Sequence, residues 1–225
     1  MENGSGVLSL WELFKLGGVF MWPLLGFSTA ALGIILDRCV FLLYHRLRVD
    51  ALAPRVLSSI EGGKIAEAAA FLEPLQKRSM AARVLLCLVN HAELPEGRLE
   101  KAVETEAQGC VNALEAGFGF LTAISSLASL TGFLGTVSGM IGAFRSIAEA
   151  VEVNAQIVAN GIYEALITTV FGLIIAIVSM AAYYILSSVA DRFAVRTEQT
   201  CSELITALAR RGDLKGPGKD QGPAP

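Results

Sequence analysis

Two stretches decide the fold: residues 116–144, AGFGFLTAISSLASLTGFLGTVSGMIGAF, and residues 165–190, ALITTVFGLIIAIVSMAAYYILSSVA. Neither contains a charged side chain. A helix needs ~20 apolar residues to cross a bilayer, so each stretch is long enough for one span. Neither is uniformly greasy. In the first, Ser125, Ser129, Gly132, Thr136, Gly139 and Ala143 recur at steps of four and three. Gly161, Ala165, Thr168, Gly172, Ala176 and Ser179 do so in and just before the second. That spacing puts each set on one helical face. A face of small and hydroxyl residues lets helix backbones approach closely in lipid. It is equally what a narrow polar pathway between helices would need. At the mouth of the second stretch stands one acid, Glu164. An ionisable group near the bilayer centre costs ~2.5–3.5 kcal/mol, so such groups face a bundle interior or a cavity.

Composition agrees with a membrane protein. The 225 residues are 53% hydrophobic and only 17% charged, which places the chain with membrane proteins rather than soluble domains. The net charge is −3 with no basic run, which argues against a nucleic-acid partner. Cys39, Cys87, Cys110 and Cys201 form no CxxC pair. They read as small buried thiols in a reducing compartment, not as a zinc site or disulfide framework. His45 and His91 stand alone, without metal-ligand spacing. No cofactor, no metal and no enzymatic chemistry are expected.

Outward from the two stretches, the chain divides as follows. Residues 1–16 form a short N-terminal tail with Glu2, Glu12 and Lys15. Residues 17–43 are a further span, uncharged from Gly17 to Leu36. Its net-negative leader and its length favour a retained helix over a signal peptide. Trp11, Phe14, Phe20 and Trp22 cluster at its start as an interfacial belt. Residues 44–115 are polar, alanine-rich and helical in pattern. Gly62-Gly63 marks a turn, residues 64–72 a short helix, and Ser79 the cap of a helix over residues 79–94. Pro95 fits the first turn of the next helix. There Leu99, Val103, Ala107, Cys110 and Leu114 share one face, with Glu100, Glu104, Glu106 and Glu115 mostly elsewhere. The pattern predicts that this helix continues into the second span, ~75 Å from Pro95 to Phe144. Residues 145–156 are a polar turn, 157–190 the third span, 191–211 an amphipathic helix, and 212–225 a Gly/Pro/Lys-rich disordered tail.

Lysines and arginines set the orientation. The N-terminal tail has Lys15 and the turn has Arg145, whereas Arg38, Arg46, Arg48 and Arg55 follow the first span. Arg192, Arg196, Arg210 and Arg211 follow the third. The bias places the N-terminus outside and residues 44–115 and 191–211 in the cytoplasm. The expected fold class is therefore all-α: a polytopic protein with three transmembrane helices and long cytoplasmic helical extensions.

The run Leu130-Thr-Gly-Phe-Leu-Gly-Thr-Val-Ser-Gly-Met140 resembles the second-span signature of the ExbB/TolQ/MotA proton-channel family, close to PLLGLLGTVxGM. Gly161-Ile-Tyr-Glu-Ala-Leu-Ile-Thr-Thr169, followed by Phe171-Gly172, resembles that family's GIxEALxxTxxG element. Ser129 and Thr131 stand where the family usually has proline and leucine. Three spans and one large cytoplasmic insert are similar to the ExbB/TolQ branch, since MotA-like members usually have four spans.

The resemblance implies a homopentamer in the bacterial inner membrane. Its second and third spans would line a pore holding the single-span helices of an ExbD/TolR-like partner, whose membrane aspartate accepts the proton. On the same basis Thr136 and Thr169 are the pore threonines, with Thr168 one position off the motif, and Glu164 is the acid near the outer entrance. With the outer boundary near Arg145 on the second span and Ile157 on the third, Thr136 and Thr169 would sit ~13 and ~18 Å deep, and Glu164 ~10 Å. Apart from Asp37 at the inner boundary, the spans hold no aspartate or histidine to accompany Glu164, so a proton relay would need a second subunit. The plainer reading of the threonines is a hydroxyl bonded to a carbonyl one turn earlier. For Asp37-Arg38 it is an inner-boundary pair, and for Gly132, Gly135, Gly139, Gly161 and Gly172 it is helix packing. The rival to a channel is a non-conducting scaffold that positions a partner.

Overall fold

The computed structural model describes residues 10–45, 47, 49–149 and 155–215. Residues 1–9 with Glu2, the basic residues Arg46 and Arg48, the turn residues Glu152 and Asn154, and the tail from 216 onward lie outside the described residues. The described secondary structure is helical throughout: α1 (Leu10–Leu16), α2 (Met21–Tyr44), α3 (Ala53–Glu61), α4 (Ile65–Leu72), a 3-10 turn (Glu73–Leu75), α5 (Met80–Asn90), α6 (Glu96–Glu115), α7 (Phe118–Glu149) and α8 (Ala155–Lys215). Three helical stretches, those containing α2, α7 and α8, are long and apolar enough to cross a membrane.

The chain forms two compact units. The first contains the described residues up to Asp37 together with Gly117–Ile185. Its core joins Met21 and Leu24 of α2 to Ala128 of α7 and Ile167 of α8, with Leu13 and Phe14 of α1 packed against them. Outward-facing side chains are mostly large and apolar: Leu32 and Leu36 on α2, Phe133 and Phe144 on α7, Leu166 and Ile177 on α8 are all exposed. Such an apolar exterior is stable in lipid and not in water.

The second unit contains Arg38–Ala116 and the described residues from Leu186 onward. Ser79 caps α5 by accepting the Ala82 N–H at 3.3 Å, which satisfies one of the orphan donors of the first turn. α5 buries Val84, Leu85 and Leu88 completely and most of its other residues nearly so, the pattern of a helix surrounded by neighbours. α6 buries Leu99, Val103, Cys110 and Leu114, the face that its sequence predicts. Arg83 of α5 pairs with Glu106 of α6, and Arg196 of α8 with Asp50. Arg38 donates to the Ala113 carbonyl at 3.2 Å, one of the carbonyls that the end of α6 leaves without an intrahelical partner.

The helical boundaries differ from the sequence pattern at several places, each for a local reason. The first span does not begin at Gly17. α1 ends at Leu16, Gly18 takes φ +65, and α2 starts at Met21. The Gly17-Gly18 pair is a turn, as adjacent glycines commonly are. The expected continuous helix from Pro95 to Phe144 is interrupted: Ala116 is extended (ψ 125) and Gly117 has φ +89, a conformation that glycine adopts freely. The polar turn is shorter than expected, because α7 continues to Glu149 and α8 begins at Ala155. Arg145 and Glu149 pair across one helical turn at 2.9 Å. No break marks the passage from apolar to charged sequence at Asp191. α8 is one helix of 61 residues reaching Lys215, past Arg211. Residues 173–211 contain neither Gly nor Pro, so a change of solvent is not a change of backbone.

Candidate functional site

The small residues predicted to lie on two faces meet in one seam between α7 and α8. A Cβ built on Gly132 would lie 3.1 Å from the Gly172 Cα and 3.1 Å from the Thr168 carbonyl oxygen. On Gly172 it would lie 2.6 Å from the Ala128 carbonyl, and on Gly161 2.7 Å from the Ala143 Cβ. On Gly139 it would lie 2.9 Å from the Ala165 Cβ, and on Gly135 2.7 Å from the Thr168 Cβ. All five glycines thus serve one intramolecular contact, and most of these positions leave a methyl group no space. The two small-residue faces pack against each other within one chain.

Hydroxyls cross the same seam. The Thr169 hydroxyl of α8 donates to the Gly132 carbonyl of α7 at 2.9 Å. In an α-helix that carbonyl also accepts the N–H four residues on, which is that of Thr136. One backbone oxygen therefore ties both threonines to the same level of the seam. Farther along, Ser125 of α7 donates to the Ala176 carbonyl of α8 at 2.9 Å. Thr136 donates to its own helix, to the Phe133 carbonyl at 2.6 Å. Each threonine oxygen keeps lone pairs to accept from a further donor. Both side chains are half-exposed.

Thr168 differs. It is 1% exposed and donates to the Ala165 carbonyl at 2.9 Å, with the Glu164 carbonyl at 3.3 Å. Its oxygen faces Gly135. This is the packing role that the sequence offered as the plainer reading.

Glu164 is not brought together with Thr169. Five residues along a helix are ~500°, or about 140° around the axis. The residues touching α7, Gly161, Ala165, Thr168 and Gly172, lie between them. Glu164 belongs instead to the flank of Ile167 and Phe171, which pack with α1 and α2. Its half-buried carboxylate lies against the backbone of Gly18. Sequence reading missed Gly18. The Gly-Gly pair is a turn signal, but it lies at the edge of an apolar run and reads as part of the span.

Outside the spans, burial and a neighbouring charge raise the thiol of Cys87, in that order of weight. Cys201 lies beyond Asp191, where burial above all pushes its thiol up to about 12. Both are protonated near neutral pH, the state of inert structural cysteines. Among the described residues no three His, Cys, Asp or Glu side chains converge to hold a metal.

Comparison with known proteins matches the chain to one family. The MotA/TolQ/ExbB proton channel family matches residues 66–199, the segment from α4 to the middle of α8. A Synechocystis sp. protein described as biopolymer transport protein ExbB-like 3 is 34% identical over 191 residues, covering 82% of this chain and 88% of its own. Biopolymer transport protein exbB1 of Vibrio cholerae is 29% identical over 85% of both chains. The Tol-Pal system protein TolQ of Pseudomonas aeruginosa is 37% identical over 93 residues, 41% of this chain and 37% of its own.

Proposed function

Because the chain belongs to the MotA/TolQ/ExbB proton channel family, in its ExbB/TolQ branch, we propose that it is the channel-forming stator of a proton-driven motor in the bacterial inner membrane. It works with a single-span ExbD/TolR-like subunit whose membrane aspartate accepts the proton. Five copies surround that partner, with the N-terminus periplasmic and the C-terminus cytoplasmic. Proton flow through the complex drives work in the cell envelope: transport, envelope maintenance or motility. Each proton supplies ~2.3 kcal/mol per 100 mV from the electrical term.

The observation that carries this reading is the Gly132 carbonyl. It holds Thr169 through a 2.9 Å bond and stands one turn from Thr136. Two half-exposed hydroxyls sit at one level of the seam, with acceptor capacity left over. The spans offer no aspartate or histidine there. Hydroxyls without a titratable group order water and do not themselves carry a proton through, so the acceptor comes from the partner.

The scaffold reading draws on the same bonds. Thr136 and Thr168 donate to their own helix and Thr169 to its neighbour, as packing hydroxyls do. Reconstitution separates the two. The complex with a single-span partner, placed in vesicles under an imposed potential, takes up protons if it is a channel, and this chain alone does not. No uptake by the full complex favours the scaffold.

A further inference from the structure

We propose that the Gly17-Gly18 turn is the seat of the outer acid. It fixes the Glu164 carboxylate against the N-terminal turn of its own chain, which makes Gly18 a positioning residue for the proton pathway. This rests on the reading of Glu164 as a pathway acid.

Two separate demands fall on residue 18. The first is conformational. α1 closes with the Gly17 N–H donating to the Leu13 carbonyl at 3.1 Å, and α2 opens with the Met21 N–H donating to the Gly18 carbonyl at 3.3 Å. Between them Gly18 takes φ +65, where side chains with a Cβ are disfavoured and Asn is the best tolerated. The second demand is space. The carboxylate of Glu164 stands where a Cβ on Gly18 would be, with its Cδ only 2.8 Å from that point and its Cγ 3.5 Å. A turn that needed only the left-handed backbone would accept Asn. This one has no room for any side chain while Glu164 keeps its place.

The turn is anchored. Leu13 and Phe14 pack on Met21, Leu24 and Ile167, and Ile167 follows Glu164 by one helical turn. The Phe14 ring stands edge-on to Trp22 with centroids 5.5 Å apart. A Cβ on Gly17 would lie 3.2 Å from the Ile167 Cγ2, so both glycines bring the backbone close to α8. The carboxylate is thereby held on the α1–α2 flank of α8, about 140° around the helix from Thr169. It faces this turn and not the threonine flank.

The test uses the intact complex with its partner, at matched membrane levels. Wild type, Gly18→Ala, Gly18→Asn, Glu164→Asp and Gly18→Ala with Glu164→Asp are compared. The readouts are proton-motive-force-dependent activity and the rate at which a hydrophobic carbodiimide modifies residue 164, followed by mass spectrometry. Gly18→Ala and Gly18→Asn both lose most activity and both change the labelling rate of Glu164 several-fold. The shorter Glu164→Asp restores activity to the Gly18→Ala protein. Wild-type activity and labelling in Gly18→Asn, or no rescue by aspartate, overturns the proposal. Geometry is tested without activity by a separate pair of substitutions: Gly18→Cys with Glu164→Cys, oxidised by copper phenanthroline, forms a disulfide within one chain. Its absence overturns the seat. Full activity of Glu164→Gln, with that disulfide still forming, overturns the pathway reading of the acid instead.

Discussion

The Thr169 hydroxyl of α8 donates across the seam to the Gly132 carbonyl of α7 at 2.9 Å. The bond is possible because Gly132 and Gly172 let the two backbones approach: a Cβ on Gly172 would lie 2.8 Å from the Gly132 Cα. Residues read separately as packing glycines and pore hydroxyls are therefore one arrangement. The glycines set the helix separation, and the separation lets a short side chain reach a carbonyl on the next helix.

Leucine at the seam forces the helices apart. Gly172→Leu and Gly132→Leu place a side chain within 3.1 Å or less of backbone atoms, and backbone moves at greater cost than a flexible side chain. The cost is at least the ~1–3 kcal/mol of core overpacking. Gly142→Leu is the control, because a Cβ there meets nothing within 4 Å. Native mass spectrometry of detergent-purified protein is expected to show the oligomer for wild type and Gly142→Leu and its loss for the other two.

Buried thiols are expected to be silent. Cys201, pushed up to about 12, stays protonated at pH 8, and the thiolate is the reactive species. Its value in the unfolded chain is near 9.0. Stability from this group is fully present below that pH and is lost as pH rises toward 12, because the unfolded state then gives up its proton first. Alkylation at pH 8, read by peptide mass spectrometry, labels Cys201 only after denaturation. Thermal unfolding is insensitive to this thiol below pH 9 and shifts downward above it. Fast labelling of the native protein contradicts the burial.

Three spans, the α5 cap and the buried face of α6 were legible in the sequence because each rests on local periodicity. The Ser79 cap and the Leu99, Val103, Cys110, Leu114 stripe need only the order of side chains along one helix. What was not legible depends on partners distant in sequence. The Gly18–Glu164 contact joins residues at opposite ends of the unit, and nothing near Gly18 announces an acid. The stripe of small residues was visible, but its occupant was not: the same pattern serves a neighbouring helix or a second copy. Gly117 stands at the start of the second apolar stretch, yet a glycine inside a helical pattern does not reveal whether it will take positive φ. Thr168 and Thr169 are adjacent and chemically identical, and only the direction of each Cβ relative to α7 separates a buried packing residue from a half-exposed one.

Orientation is tested by surface labelling. Gln156→Cys near the start of α8 is expected to react with an impermeant maleimide from the periplasmic side of intact cells. Lys77→Cys, at an exposed site before α5, reacts only after permeabilisation. The excess of arginine after the first and third spans motivates the assignment. Reversed labelling places the Glu164 end of the spans in the cytoplasm.

The Thr136 and Thr169 hydroxyls are expected to act chemically and not only by packing. Thr→Val keeps the shape and the β-branch and removes the hydroxyl. The Gly132 carbonyl keeps its intrahelical bond when Thr169 is replaced, so the structural loss is small, ~0.6 kcal/mol by the average for hydrogen bonds between membrane helices. The decisive measurement is proton-motive-force-dependent activity of the Thr136→Val/Thr169→Val double variant, with membrane level and partner co-purification matched to wild type. Loss of most activity, with partial retention when both are Thr→Ser, is the predicted result. Full activity in the double valine variant contradicts a chemical role for these hydroxyls and leaves a packing scaffold in place of a channel.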